Sequence, residues 1–84
     1  MDMQKKTHRQ RHYIARLYRF GQVLKHISLS HFRVDELPAI TVIMREIHTL
    51  QQKDVFPPTH LTLACESAMT IIEKSIERIF APQK

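Results

Sequence analysis

The sequence predicts an all-α fold, an antiparallel helical hairpin with an additional basic N-terminal helix, on three observations. Apolar residues recur at steps of three and four along three stretches, which is the spacing of one face of an α-helix. A single glycine, Gly21, leaves almost no material for type I′ hairpins. Prolines stand at the start of the second stretch and, as Pro57-Pro58, between the second and third, where a fixed φ and a missing amide start or stop helices. The 84 residues make one domain, in the size range where a core is marginal and a partner often completes folding.

In the first stretch Ile14, Leu17, Gly21 and Leu24 form the apolar stripe, with Ile27 the next candidate and Tyr13 and Phe20 on its flank. At about 100° per residue, Lys5, His8, Arg9, His12, Arg16 and Arg19 gather on an adjacent sector, so the helix is amphipathic with a cationic stripe. Ser28 to Asp35 shows no clear period. The second helix is expected from about Glu36 to Lys53, with Pro38 in its first turn. Leu37, Ile40, Ile43 or Met44, Ile47 and Leu50 would be buried, and Thr41, Arg45, Glu46, His48, Thr49 and Gln52 would face water. The third helix starts at Thr59, or with Pro58 at its first position, and its stripe is Leu61, Cys65, Ala68, Ile72, Ser75 or Ile76, and Ile79. Ala64 and Ile71 widen that stripe, while Glu66, Thr70, Glu73, Lys74, Glu77 and Arg78 take the other face. Small residues at Ala64, Cys65 and Ala68 allow close approach of the second helix, and Met44 and Met69 sit at the margins as adaptable contacts.

Charge divides the chain. Residues 1–33 hold eight Lys or Arg against Asp2, a net +7, and residues 34–84 hold five against seven acids, a net −2. Such a split suits one end that meets a polyanion or an acidic partner and another that builds a fold or an interface. Lys5, Arg9, His12, Arg16 and Arg19 are accordingly the candidate polyanion-binding set, with Tyr13, Tyr18 and Phe20 available for stacking. The plainer reading of the same face is a solvated helix that keeps a small protein soluble. No DNA-binding helix-turn-helix or RNA-binding sequence accompanies it.

Chemistry finds little footing. The lone Cys65 excludes an internal disulfide and a CxxC site and fits a reducing, cytoplasmic setting. His8 and His12 are four apart, but no Cys or carboxylate joins them at metal-ligand spacing. Cys65 falls on the apolar stripe, where cysteine acts as a small hydrophobe. A glycine-rich loop is missing as well, so no catalytic residue, metal or cofactor is expected. There is no apolar run of about 20 residues to span a bilayer and no basic-then-apolar signal segment, although the basic, acid-poor first 33 residues leave a transit peptide open.

The segment Arg45-Glu46-Ile47-His48-Thr49-Leu50-Gln51-Gln52-Lys53, the proline turn, and Leu63-Ala64-Cys65-Glu66-Ser67-Ala68-Met69-Thr70-Ile71-Ile72 resemble the small E-type co-chaperones of type III secretion needle subunits. The resemblance runs from Glu36 onward and implies a helical hairpin that pairs with a helical-repeat chaperone to hold the needle subunit unpolymerised in the cytosol. A lesser resemblance lies in Leu17-Tyr18-Arg19, similar to the tripeptide of small basic three-helix mitochondrial assembly factors that bind acyl carrier protein.

The expected function is therefore that of a non-enzymatic adaptor or co-chaperone. It would present the half-covered apolar face of the hairpin to a helical protein partner, through Ile43, Ile47, Leu61, Cys65, Ala68, Met69 and Ile72. The alternative is a small nucleic-acid-binding regulator in which the second and third helices form a homodimer and the first helix contacts phosphate.

Overall fold

The computed structural model describes residues 7–53 and 55–81. Three helices cross this span: α1 (His8–Leu24), α2 (Leu37–Gln52) and α3 (Thr59–Ile79). Thr7 opens α1 with a capping box. The Gln10 amide donates to Thr7 Oγ1 at 3.1 Å, and the Thr7 amide donates to Gln10 Oε1 at 2.9 Å, so two amides without helical partners are satisfied together. The aperiodic link folds as two single turns of 3-10 helix, Leu29–His31 and Val34–Glu36. The Ser28 hydroxyl caps the first of them, and Phe32 between them is buried. Pro38 lies in the first turn of α2 as expected, and α2 ends at Gln52, with Lys53 after it in an extended conformation. Pro58 then leads into α3.

α2 packs along α3 as the predicted antiparallel hairpin and also against α1, while α1 borders α3. One continuous core joins all three helices, with Tyr13, Leu17 and Leu24 of α1 in the same cluster as Ile40, Ile43 and Ile47 of α2 and Cys65, Met69 and Ile72 of α3. The basic helix α1 is thus part of the bundle. Gly21 lets α1 come close to α2: a Cβ there would stand 2.7 Å from Ile47 Cδ1, so the end of that side chain would have to shift.

Where α2 begins and α3 ends, a charged clamp closes the hairpin. Arg78 Nη1 donates to Glu36 Oε2 at 2.5 Å and Nη2 to Oε1 at 3.0 Å, while the Ser75 hydroxyl donates to Oε2 at 2.6 Å. The Arg33 amide donates to Oε1 at 2.7 Å, and Arg78 Nη2 also reaches the His31 carbonyl at 3.2 Å. A two-pronged guanidinium with further donors satisfies the carboxylate nearly completely, which is what lets Glu36 be buried as an anion. The Arg78 hydrogen bonds, then Ser75 and the Arg33 amide, hold the Glu36 carboxyl down at about 2.

The burial pattern corrects several expectations. Glu46, expected in water, is 4 % exposed, because Ala39, Ile43, Glu46 and Leu50 form a second run of threes and fours on the side of α2 near Tyr13. Met69, expected at a margin, is fully buried on a matching run of Thr62, Cys65, Met69 and Ile72. Ile71 and Ala64 are exposed and do not widen the stripe. Of the paired alternatives, Ile43 is buried and Met44 exposed, and Ser75 is buried while Ile76 is half-buried. Among the described residues no helix is long and apolar enough to cross a membrane.

Candidate functional site

α1 carries two faces at once. Its apolar stripe is spent on the core, and its cationic sector runs along one edge of that stripe, so the basic side chains emerge where α1 departs from α3. α1 and α3 run in the same direction: Thr7 and Thr59 share one cavity at their first turns, and Val23 and Ile76 share another toward their last. Between them a groove of about 370 Å³ opens. Its half-buried apolar lining is Phe20, Val23 and Ile76, with Ala15 exposed at the rim, and its α1 wall is His12, Arg16 and Arg19. The α3 wall is Glu73 and Glu77.

Local contacts fix this geometry. The Arg16 guanidinium carbon lies 5.6 Å from the Phe20 ring centroid, one helical turn away, a cation–π spacing that holds both side chains over the groove. Arg16 Nη2 also lies 3.8 Å from Glu73 Oε1 across it, a loose, half-exposed pair of little energetic weight. Arg19 and Glu77, one turn further along, are both exposed. The apolar floor therefore lies between a positive rail and a negative one.

A second cavity of about 510 Å³ lies at the first turns of α1 and α3, where Arg9, Gln10 and Glu66 surround Tyr13 and Phe56. The two rings meet edge to face at 5.6 Å, an aromatic geometry favoured by their quadrupoles. The Tyr13 hydroxyl is buried beside the Cys65 thiol, and among the described residues neither it nor Glu46 Oε1 has a partner at full hydrogen-bond geometry. Burial first, and then the nearby Cys65 thiol and the Glu46 and Glu66 carboxylates, push the Tyr13 hydroxyl well above the usual phenol range. Burial likewise pushes the Cys65 thiol up. With no exposed surface, that sulfur is a packing atom, far from the low-pKa, accessible state of a nucleophile. Among the described residues no three His, Cys, Asp or Glu side chains gather as metal ligands would.

The structure redistributes the residues singled out from sequence. Of the partner-binding set, Ile43, Ile47, Cys65, Ala68, Met69 and Ile72 are all buried, and only Leu61 reaches the surface, at 36 % exposure. The hairpin face that appeared half covered is closed by α1, whose Tyr13 and Leu17 complete the core there. Those six residues are thus not an exposed docking surface of the folded chain. Of the polyanion set, Lys5 lies outside the described residues. Arg9 borders the second cavity, and His12, Arg16 and Arg19 line the groove. Of the Leu17-Tyr18-Arg19 tripeptide, Leu17 is in the core, Tyr18 is half-buried and Arg19 is on the groove wall. Sequence reasoning missed Glu73 and Glu77 as members of a site, although their spacing of four already placed them on one side of α3. Compared with protein-family models, curated proteins and solved structures, the chain matches none.

Proposed function

We propose that this chain is a non-enzymatic adaptor that receives a helical segment of a protein partner in the groove between α1 and α3. The apolar floor framed by charged walls carries this reading, because a helix-binding groove needs a place for a ridge of apolar side chains and a polar rim that fixes register. The resemblance to needle-subunit co-chaperones suggests a helical-repeat chaperone as the partner, and the groove would then be the surface presented to it.

The test is affinity capture of the intact chain from its host, with and without nuclease, beside an Ala15→Trp variant. Ala15 is exposed on the groove, so tryptophan fills the site without entering the core. A stoichiometric partner that survives nuclease and is lost with Ala15→Trp is the expected result. A partner retained by the variant would place binding elsewhere.

A second reading is favoured by the exposure of Arg9, His12 and Arg19 along one strip of α1: contact with nucleic-acid phosphates. Arg19→Ala would then lower the slope of log affinity against log salt by about one phosphate's worth. A salt slope unchanged in that variant removes this reading.

A further inference from the structure

Resting on the adaptor reading, we infer that the groove selects an amphipathic helix with acidic residues along one flank and basic residues along the other, and that this charge order fixes the direction in which the helix lies. The argument begins with size. An α-helix with side chains is about 10–12 Å across, so a groove of about 370 Å³ takes only a few apolar side chains from one ridge while the helix backbone rides above the rim. Both flanks of such an occupant then pass close to a wall. The flank over α1 meets His12, Arg16 and Arg19, and the flank over α3 meets Glu73 and Glu77.

The two walls carry opposite charge, so a uniformly acidic or uniformly basic occupant gains on one side and is repelled on the other. The same asymmetry disfavours a phosphate backbone seated in the groove, since Glu73 and Glu77 would face it. Because the apolar ridge must stay in the groove and the two walls differ in charge, turning the occupant end for end exchanges its flanks. One charge order therefore corresponds to one direction. Along the groove the discriminating positions are Arg19 and Glu77, which are exposed. Arg16 and Glu73 already face each other at 3.8 Å.

The experiment uses three fluorescein-labelled, lactam-stapled helical peptides that share one leucine ridge. The first has a Glu flank and a Lys flank, the second Glu on both, the third Lys on both. Fluorescence anisotropy with the full chain is expected to rank the mixed peptide first, by about 3- to 30-fold in Kd, the sum of a few rim pairs. Arg19→Glu should shift the preference toward the all-Lys peptide and Glu77→Lys toward the all-Glu peptide, with both variants retaining the wild-type circular dichroism. Equal binding of the three peptides, or a ranking unmoved by either variant, overturns the charge-order inference and leaves the groove as a site. Failure of all three to bind overturns the adaptor reading with it. A labelled single-stranded oligonucleotide that binds in their place moves the site to the nucleic-acid reading. Concentration-dependent dimerisation abolished by Arg19→Glu overturns the inference in favour of a second copy of this chain.

Discussion

Leu17→Ala separates a docked α1 from one that is merely helical. Leu17 has no exposed surface and sits in the cluster shared by all three helices. Truncating it removes buried methylenes and leaves a cavity, at a cost of about 3–5 kcal/mol. Set against a total stability of about 4–13 kcal/mol for 84 residues, that is a large fraction, and it lowers Tm by more than about 10 °C. If α1 were helical but undocked, the substitution would be neutral or slightly stabilising, since alanine is the better helix former. The two cases thus differ in sign. Urea melts of wild type and variant should be followed by far-ultraviolet circular dichroism and by tyrosine fluorescence. Both tyrosines, Tyr13 and Tyr18, lie on α1 and the chain has no tryptophan, so the fluorescence reports α1 alone while the dichroism reports all three helices. Coincident transitions shifted to lower urea with an unchanged slope are expected. A loss below about 1 kcal/mol, or a tyrosine transition that precedes the dichroism, would refute the integrated bundle.

The clamp predicts a specific acid limb. Because the Glu36 carboxyl is held at about 2, below its ordinary 4.5, its contribution to stability is full above about pH 4.5 and is lost as pH falls toward 2; in Glu36→Gln, urea midpoints measured across that window should vary less with pH than in wild type. Tyr13→Phe removes a buried hydroxyl that has only the weakly bonding Cys65 thiol beside it, and chemical denaturation should show a change of no more than about 1 kcal/mol; a larger loss would reveal a stronger hydrogen bond at that oxygen. Ala68→Arg places a long cation at a site 5 % exposed and should cost at least about 3 kcal/mol, read as lost helicity in circular dichroism. A folded Ala68→Arg variant would contradict the buried placement of that residue.

The three helices and their proline boundaries were legible because each rests on local chemistry: the spacing of apolar residues, a proline in a first turn, and a proline pair at a stop. What escaped reading depends on which helix faces which. α2 and α3 each bury two adjoining strips because each touches two neighbours, and the second strip runs through a glutamate on α2 and a methionine and threonine on α3. Residue type alone sends Glu46 to solvent. The groove illustrates the same limit, for its cationic wall was visible as a stripe on one helix, whereas its acidic wall acquires meaning only once α3 lies parallel to α1. The Glu36–Arg78 clamp joins positions 42 apart in sequence, and nothing local marks either partner.

Gly21 carries a mechanical consequence. It lies close to Ile47 of α2, near the end of α1, while Arg16 and Arg19 stand up to about a turn and a half further back. A methyl group added there must displace the end of the Ile47 side chain or tilt α1, and a tilt would be carried along the helix to the rail that frames the groove. Gly21 does not line the groove between α1 and α3, so any tilt of α1 caused at position 21 would change the width of that groove while leaving its lining chemistry untouched.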